Sequence, residues 1–245
     1  MTYVTPEMHA ETQLQSVYER LWNAIGFFGG SYIAGGAIAS LILEQTPNDY
    51  DIWFETLKEW ETAVAQAEAS VAPIHYLART EHAMTFKLET GEVIQLVKSR
   101  LGVGEEVAEQ FDFRHAQAYF YPVLPDEKEG DDFFNTDGEV IYVGQNCTDI
   151  IRDKILLFDG VLDYPIHTLS RLQKFALRGY TIPDQTIAKI VLAITQADPE
   201  LVQRDIRACG AKYATGPGKS LCYAVVAGSK TGAPPSEFDL EEEFL

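Results

Sequence analysis

The most constraining part of the sequence is a stretch in which two adjacent glycines, Gly35 and Gly36, separate two short strand-like segments. Ser31–Ala34 is typical of a short buried strand, and Tyr50–Phe54 has the aromatic and β-branched content of a second strand. Between them, Ala37–Glu44 predicts a short apolar helix that a threonine–proline–asparagine run then ends. The order strand, turn, helix, strand is therefore expected in this part of the chain. Farther on, Leu57–Ala69 predicts a helix, and Ala83–Glu89 and Glu92–Val97 predict a hairpin that turns at Thr90-Gly91.

Two aspartates flank the start of the second strand, at positions 49 and 51. Because side chains alternate along a strand, we expect Asp49 and Asp51 to point to one side, with Tyr50 and Ile52 in the core. Two carboxylates so close together repel each other unless a divalent cation lies between them. Hard oxygen ligands of this kind suit Mg²⁺, so the pair is a candidate magnesium site.

The glycine pair lies just ahead of a predicted helix N-terminus. Free backbone N–H groups and the positive end of the helix dipole favour phosphate there, and glycines permit close approach. Phosphoryl and nucleotidyl transfer require a metal site beside a phosphate site. A glycine pair alone or an aspartate pair alone is common in proteins. The competing interpretation is therefore a plain turn followed by a charged strand end.

Joined at this spacing, Gly35-Gly36 and Asp49-Tyr50-Asp51 resemble the motif of the DNA polymerase beta-like nucleotidyltransferase superfamily. The resemblance implies that Gly35 and Gly36 cradle the phosphates of a nucleoside triphosphate. It also implies that Asp49 and Asp51 hold two Mg²⁺ ions that bridge the triphosphate and the attacking hydroxyl.

Sites of this superfamily carry a third acid on a neighbouring strand, and the candidates here are Asp112, Glu92 and Glu89. Asp112 fits best, because Phe111-Asp112-Phe113 places one acid within an apolar, strand-like run where an unpaired carboxylate is costly. It would complete the metal site and orient or deprotonate the acceptor hydroxyl. The alternative is a structural acid that caps a turn.

The last hundred or so residues predict helices and contain a possible cationic stripe. The helices are expected at Asp149–Phe158, Thr168–Arg178, Gln185–Ala197 and Pro199–Ala208. Arg171, Lys174 and Arg178 recur at helical spacing and so share one face of a predicted helix. Cations neutralise the oxygens of a triphosphate, which makes Arg171 and Lys174 candidate nucleotide-binding residues. A solvated helix face with local ion pairs explains the stripe equally well.

The change of pattern predicts an α+β fold: a nucleotidyltransferase-like mixed sheet with flanking helices, followed by a helical C-terminal region. We expect a catalytic domain over residues 1–145, a helical domain over residues 146–235, and a flexible acidic tail over residues 236–245. A further loop at residues 125–137 carries six acids and one lysine.

The chain has a net charge of −18, which disfavours binding to long duplex nucleic acid. Its three cysteines form no metal-binding pattern and suit a reducing, cytoplasmic compartment, the host cytoplasm if a phage encodes the protein. Residues 21–43 carry no charge, but they contain five glycines, which favours a turn between buried elements over a membrane span.

These features predict a Mg²⁺-dependent nucleotidyltransferase that takes a nucleoside triphosphate and releases pyrophosphate. The acceptor stays open among an RNA end, a protein and a small molecule. The glycine segment is similar to those of tRNA nucleotidyltransferases and poly(A) polymerases, but Ala39-Ser40 stands where they usually have Arg-Asp. The alternative function is a catalytically silent nucleotide-binding or protein-interaction module on the same fold.

Overall fold

A computed structural model of the chain describes residues 5–26, 29–123, 138–159 and 164–212, with side chains up to residue 206. It divides into two compact units, Met1–Asp153 and Lys154–Leu245. The predicted acidic loop at 125–137 and acidic tail at 236–245 lie outside the described residues.

The first unit is built on a seven-stranded sheet with the strand order β3-β4-β5-β2-β1-β6-β7. Its strands are β1 (Ser31–Ala34), β2 (Tyr50–Phe54), β3 (His75–Arg79), β4 (Ala83–Lys87), β5 (Val93–Val97), β6 (Ala118–Tyr121) and β7 (Glu139–Tyr142). The pairing of β2 with β5 is parallel, and the other pairings are antiparallel. β1 and β2 are thus central strands, and each pairs with a neighbouring strand on both sides. The motif that they carry therefore lies in the middle of the sheet.

Helices cover both faces of the sheet in this unit. They are α1 (Pro6–Ile25), α2 (Gly36–Ile42), α3 (Leu57–Ala69), α4 (Gly104–Glu109) and α5 (Cys147–Arg152). The larger core contains apolar side chains of α1, α2, α3 and α5 together with Tyr50 and Ile52, which are 6% and 0% exposed. A smaller cluster on the other face joins Trp53 of β2 to Val107 and Ala108 of α4.

The architecture confirms the predicted α+β fold with a mixed sheet and flanking helices. β1, β2 and α3 have the predicted bounds, and the hairpin of β4 and β5 turns at Thr90 and Gly91 as expected. β1 and β2 were predictable because short apolar and aromatic runs are typical of buried strands. In α3, β4 and β5 the buried residues recur with the period of a helix or of a strand.

Three expectations differ from the structure. Phe111–Phe113 is not a strand but an irregular segment between α4 and a 3-10 turn at Arg114–Ala116. The helix expected over Asp149–Phe158 spans only Cys147–Arg152. The strand β3 was missed because all five of its residues are exposed, so no alternation marks it.

The second unit contains α6 (Pro165–Leu177), α7 (Asp184–Gln196) and α8 (Pro199–Lys212), which agree with the predicted helices. Asp205 of α8, 1% exposed, accepts hydrogen bonds from the backbone N–H groups of Ile166 (2.6 Å) and His167 (3.2 Å). It thereby satisfies donors in the first turn of α6, which have no partner within that helix. None of the helices in the described ranges is long and apolar enough to cross a bilayer.

Candidate active site

The glycine pair forms the turn between β1 and α2. Gly35 caps the helix with φ +97° and ψ −144°, a conformation that is essentially restricted to glycine. Its N–H donates to the carbonyl of Ala118 on β6, at 3.1 Å, which anchors the turn to the sheet. Gly36 begins α2, is exposed, and has no atom within 4 Å of the position that a Cβ would take. The backbone of Gly36 is therefore open to the approach of a ligand.

The two aspartates lie at the beginning of β2. Asp49 is exposed and immediately precedes the strand, whereas Asp51 is half-buried within it. Since Tyr50 and Ile52 point into the larger core, alternation places Asp49 and Asp51 on the opposite face, together with Trp53. The side-by-side placement inferred from the sequence follows from this burial pattern.

Two aromatic rings connect this face of β2 to the glycine turn. The rings of Trp53 and Phe111 lie 5.4 Å apart between centroids, at 52°. A Cβ at Gly35 would lie 3.6 Å from the Phe111 ring. Phe111 therefore packs beside both Trp53 and the turn, and it brings the segment that carries Asp112 to the same part of the molecule.

The three candidate third acids have different surroundings. Asp112 is 8% exposed and follows Phe111 directly, so it lies near the turn but on no strand. Glu92 forms an ion pair with Arg20 of α1 at 2.7 Å. Burial raises the pKa of Glu92, but hydrogen bonds and the Arg20 charge outweigh it and leave the pKa below its usual value. Glu89 is exposed in the turn between β4 and β5.

No group of three or more histidine, cysteine, aspartate or glutamate side chains within the described ranges is arranged to hold a metal ion. Asp49, Asp51 and Asp112 thus do not form a closed three-acid cage in this structure. Their assignment as metal ligands stays a prediction that rests on Asp49 and Asp51 sharing a face.

The sheet presents a residue that the sequence reasoning missed. In the parallel pairing of β2 with β5, Gln95 is the register partner of Asp51. Gln95 is half-buried, and it alternates with Ile94 and Leu96, which are both 0% exposed in the larger core. The alternation was visible in Val93-Ile94-Gln95-Leu96-Val97, but the pairing of β5 with β2 was not. An amide, not an acid, is thus the register partner of Asp51 on β5.

The side-chain oxygens of the candidate site are of the kind that binds Mg²⁺. Carboxylate oxygens of Asp49 and Asp51 and the amide oxygen of Gln95 are hard ligands, and Mg²⁺ usually keeps several waters beside one or two carboxylates. The exposed carboxylate of Asp49 has no protein partner among the described residues and is open to a ligand.

The predicted cationic stripe lies on α6, in the second unit. Arg171 and Lys174 are half-buried, and each already makes an interaction within the protein. The guanidinium of Arg178 lies over the ring of Phe175, 6.0 Å from its centroid. A role of Arg171 and Lys174 in nucleotide binding stays a prediction.

Solved structures of CCA-adding enzymes and of a tRNA-processing enzyme resemble this fold. The Thermotoga maritima CCA-adding enzyme complexed with tRNA matches at a TM-score of 0.50 and 13% identity, over 93% of this chain and 48% of that chain. A CCA-adding enzyme in complex with ATP matches at 0.50 and 13%, over 94% and 48%. A tRNA-processing enzyme in an apo form matches at 0.51 and 15%, over 94% and 60%. These likenesses show the fold of this chain, a nucleotidyltransferase fold.

The chain spans about half to three fifths of the length of these enzymes. At the level of sequence, residues 11–127, just under half of the chain, match a family described as Gabija anti-defense 2. No curated protein matches the chain.

Proposed function

We propose that this protein is a divalent-cation-dependent nucleotidyltransferase, which transfers a nucleoside monophosphate from a nucleoside triphosphate to an acceptor hydroxyl. One observation carries the proposal. Asp49 and Asp51 share a face at the start of β2, and a glycine turn open to solvent at Gly36 begins the helix that follows the adjacent strand β1. The fold shared with CCA-adding enzymes supports it.

In the proposed site, Asp49 and Asp51 are the ligands of Mg²⁺, and Gly35 and Gly36 hold the β- and γ-phosphates through the backbone. When bound, Mg²⁺ supplies positive charge that offsets the charge developing on the phosphates. The carboxylates set where that charge lies, and the glycines let the phosphates come close. Asp51, half-buried on a central strand, is the better fixed of the two carboxylates.

The acceptor oxygen attacks the α-phosphorus and forms a new P–O bond, while the bond from that phosphorus to the bridging oxygen of the β-phosphate breaks. Pyrophosphate leaves with the electron pair, and the acceptor hydroxyl loses its proton. Asp112 is the proposed group that orients this hydroxyl or takes its proton. Its place directly after Phe111, whose ring packs beside Gly35, supports that role.

Conservative substitutions of the two aspartates test the proposal. Asp49→Asn and Asp51→Asn keep the shape of the side chain and remove the charge, so we expect each to lower turnover by about a hundredfold or more. The measurement is transfer of label from α-³²P-labelled nucleoside triphosphates into RNA, protein and small-molecule fractions of a cell lysate. Circular dichroism of each variant establishes that it is folded.

The matched control is Asp153→Asn, which, like Asp49→Asn, removes the charge of an exposed aspartate, here at the end of α5 and outside the proposed site. Its turnover should equal that of the unmodified protein. Full turnover in both Asp49→Asn and Asp51→Asn would refute the proposal. The fraction that takes up label identifies the acceptor, and the triphosphate that serves best identifies the base preference.

A second function, a silent nucleotide-binding or protein-interaction module, is favoured by the amide of Gln95 across the sheet from Asp51, where an acid would add a third carboxylate. This function predicts calorimetric binding of MgATP without release of pyrophosphate in any acceptor pool. Release of pyrophosphate that depends on Asp51 would exclude it.

The family match suggests a biological setting. From the description of that family, we propose that the activity acts against the Gabija defence system. The test adds purified components of that system to the labelled-triphosphate assay as acceptors. Label on one of them that is lost with Asp51→Asn supports this setting, and unlabelled components with label elsewhere contradict it.

A further inference from the structure

Three side chains lie in a row across one face of the sheet, on β2, β5 and β4. Asp51 pairs with Gln95, and Gln95 pairs in turn with Thr85. Residues that are register partners on neighbouring strands point to the same face, with strands about 4.8 Å apart. Gln95 is therefore the middle member of the row, one strand from the carboxylate of Asp51, and Thr85 is two strands from it.

The amide of Gln95 is not used by the fold. Its side chain is half-buried, and it makes no hydrogen bond or ion pair within the part of the chain that the structure describes. Other amides on the same unit are bound: that of Gln117 donates to the carbonyl of Phe111 at 3.1 Å. That of Gln15 accepts from the N–H of Val123 at 3.1 Å. A half-buried amide without bonds to the protein can exchange its water for a ligand.

The side chains around Asp51 determine the net charge of the proposed metal site. Asp49 and Asp51 together carry two negative charges, which balance one divalent cation, and Gln95 offers an oxygen ligand without adding a charge. A second divalent cation would then lack compensating charge until the phosphates of a nucleotide arrive.

We infer that Gln95 is a metal-positioning residue, whose amide oxygen binds the cation held by Asp51 and whose neutrality limits the empty site to one divalent ion. This inference rests on the proposed function and deepens it. The second ion enters only with the triphosphate, so nucleotide and metal bind together. A carboxylate at position 95 would allow the second cation to bind without the triphosphate, because a third negative charge would then offset the charge of that cation.

The test is calorimetric titration of the full chain with Mn²⁺, without nucleotide, on the unmodified protein and on four variants. We expect one Mn²⁺ per chain for the unmodified protein. Gln95→Glu should bind about tenfold more tightly, because the number of charged ligands sets the affinity of such sites. Gln95→Leu, which keeps the bulk and removes the oxygen, should bind several-fold more weakly.

Thr85→Glu is the matched control, because it adds the same charge on the same face one strand farther from Asp51. Its affinity should stay within about twofold of the unmodified protein, since a more distant charge acts only through screened attraction. Equal tightening by Thr85→Glu and Gln95→Glu would show a general charge effect and overturn the inference. Unchanged affinity in both Gln95 variants would overturn it as well.

Asp51→Asn separates this inference from the proposed function. Loss of Mn²⁺ binding in Asp51→Asn, with no effect of either Gln95 variant, refutes the role of Gln95 and leaves the metal site at Asp51 standing. Absence of Mn²⁺ binding in both the unmodified protein and Gln95→Glu refutes the two together.

Discussion

At the scale of single residues, the site depends on a few side chains whose neighbours differ. Asp51 is held on a central strand, whereas Asp49 is exposed just before it. Gly35 has the φ of +97° that a β-carbon disfavours, but Gly36 has no such constraint and faces open space. Two adjacent glycines thus have separate roles, one in shaping the backbone and one in leaving room.

Alanine at the two glycines distinguishes these roles. Gly35→Ala should lower the free energy of unfolding by about 1–3 kcal/mol, because that conformation strains any residue with a β-carbon. Gly36→Ala should leave the free energy of unfolding unchanged or slightly higher, since alanine is the better helix former. Urea unfolding of both variants measures the difference.

Gly36→Ala should nevertheless weaken binding of nucleoside triphosphates, because its methyl group occupies the space proposed for the phosphates. Fluorescence titration with a labelled triphosphate measures the affinity. Equal loss of stability in both variants would contradict the separate roles, and unchanged affinity in Gly36→Ala would contradict the phosphate site.

At the scale of elements, β2 is fixed at its far end by the start of α3. Thr56 caps this helix: its hydroxyl accepts from the N–H of Glu59 at 3.3 Å, and its own N–H donates to the Glu59 carboxylate at 2.8 Å. The two bonds satisfy donors that the first turn of a helix leaves open. They follow directly on the strand that carries Asp51, so they stabilise the join between strand and helix.

Removal of the cap should therefore cost stability. We expect Thr56→Ala to lower the free energy of unfolding by about 1 kcal/mol. Thr62→Ala is the matched control, because its hydroxyl only donates to the carbonyl of Lys58 within the same helix, at 2.8 Å. Chemical unfolding should show little change for the control. An equal effect of the two substitutions would mean that the cap contributes nothing specific.

The elements also show which parts of the fold sequence patterns predict and which they do not. Residue content predicted the buried strands β1 and β2, and the helical spacing of its buried residues predicted α3. Residue content failed for Phe111–Phe113, where the apolar residues pack as single side chains around a bend and not as a strand. That difference moves Asp112 from the predicted neighbouring strand to an irregular segment beside the glycine turn, and its proposed role toward the acceptor hydroxyl is kept.

At the scale of the whole molecule, the folded chain buries several groups that ionise at alkaline pH. Burial raises the pKa of the Cys147 thiol to about 11, and it raises those of the Tyr18 and Tyr121 hydroxyls to about 12. Their ordinary values are 9.0 for cysteine and 10.0 for tyrosine. Each group is therefore more easily ionised in the unfolded chain than in the folded one.

The stability of the first unit should consequently fall with alkali. The contribution of these groups is complete below about pH 9, where neither state is ionised, and is lost as pH rises through 11 and 12. Urea midpoints at pH 8, 9.5 and 10.5 measure the decline. Cys147→Ala should show a shallower decline between pH 9 and 11, and an identical slope would contradict the burial of an un-ionised thiol.

The sequence alone was sufficient for the strand, turn, helix and strand around Gly35, Gly36, Asp49 and Asp51, because these features are local. Alternation along one strand places two aspartates on a face, and adjacent glycines permit a turn, whatever the rest of the chain does. The excess of acidic residues likewise followed from composition, and the exclusion of long duplex nucleic acid that it predicts stays a prediction.

Strand pairing and the path of irregular segments were decided only by the tertiary structure. Gln95 lies beside Asp51 because β5 runs parallel to β2, a contact between residues far apart in the chain that no local pattern encodes. Phe111 reaches Gly35 for the same kind of reason. Non-local packing sets which strands become neighbours, and it therefore sets which side chains complete the site.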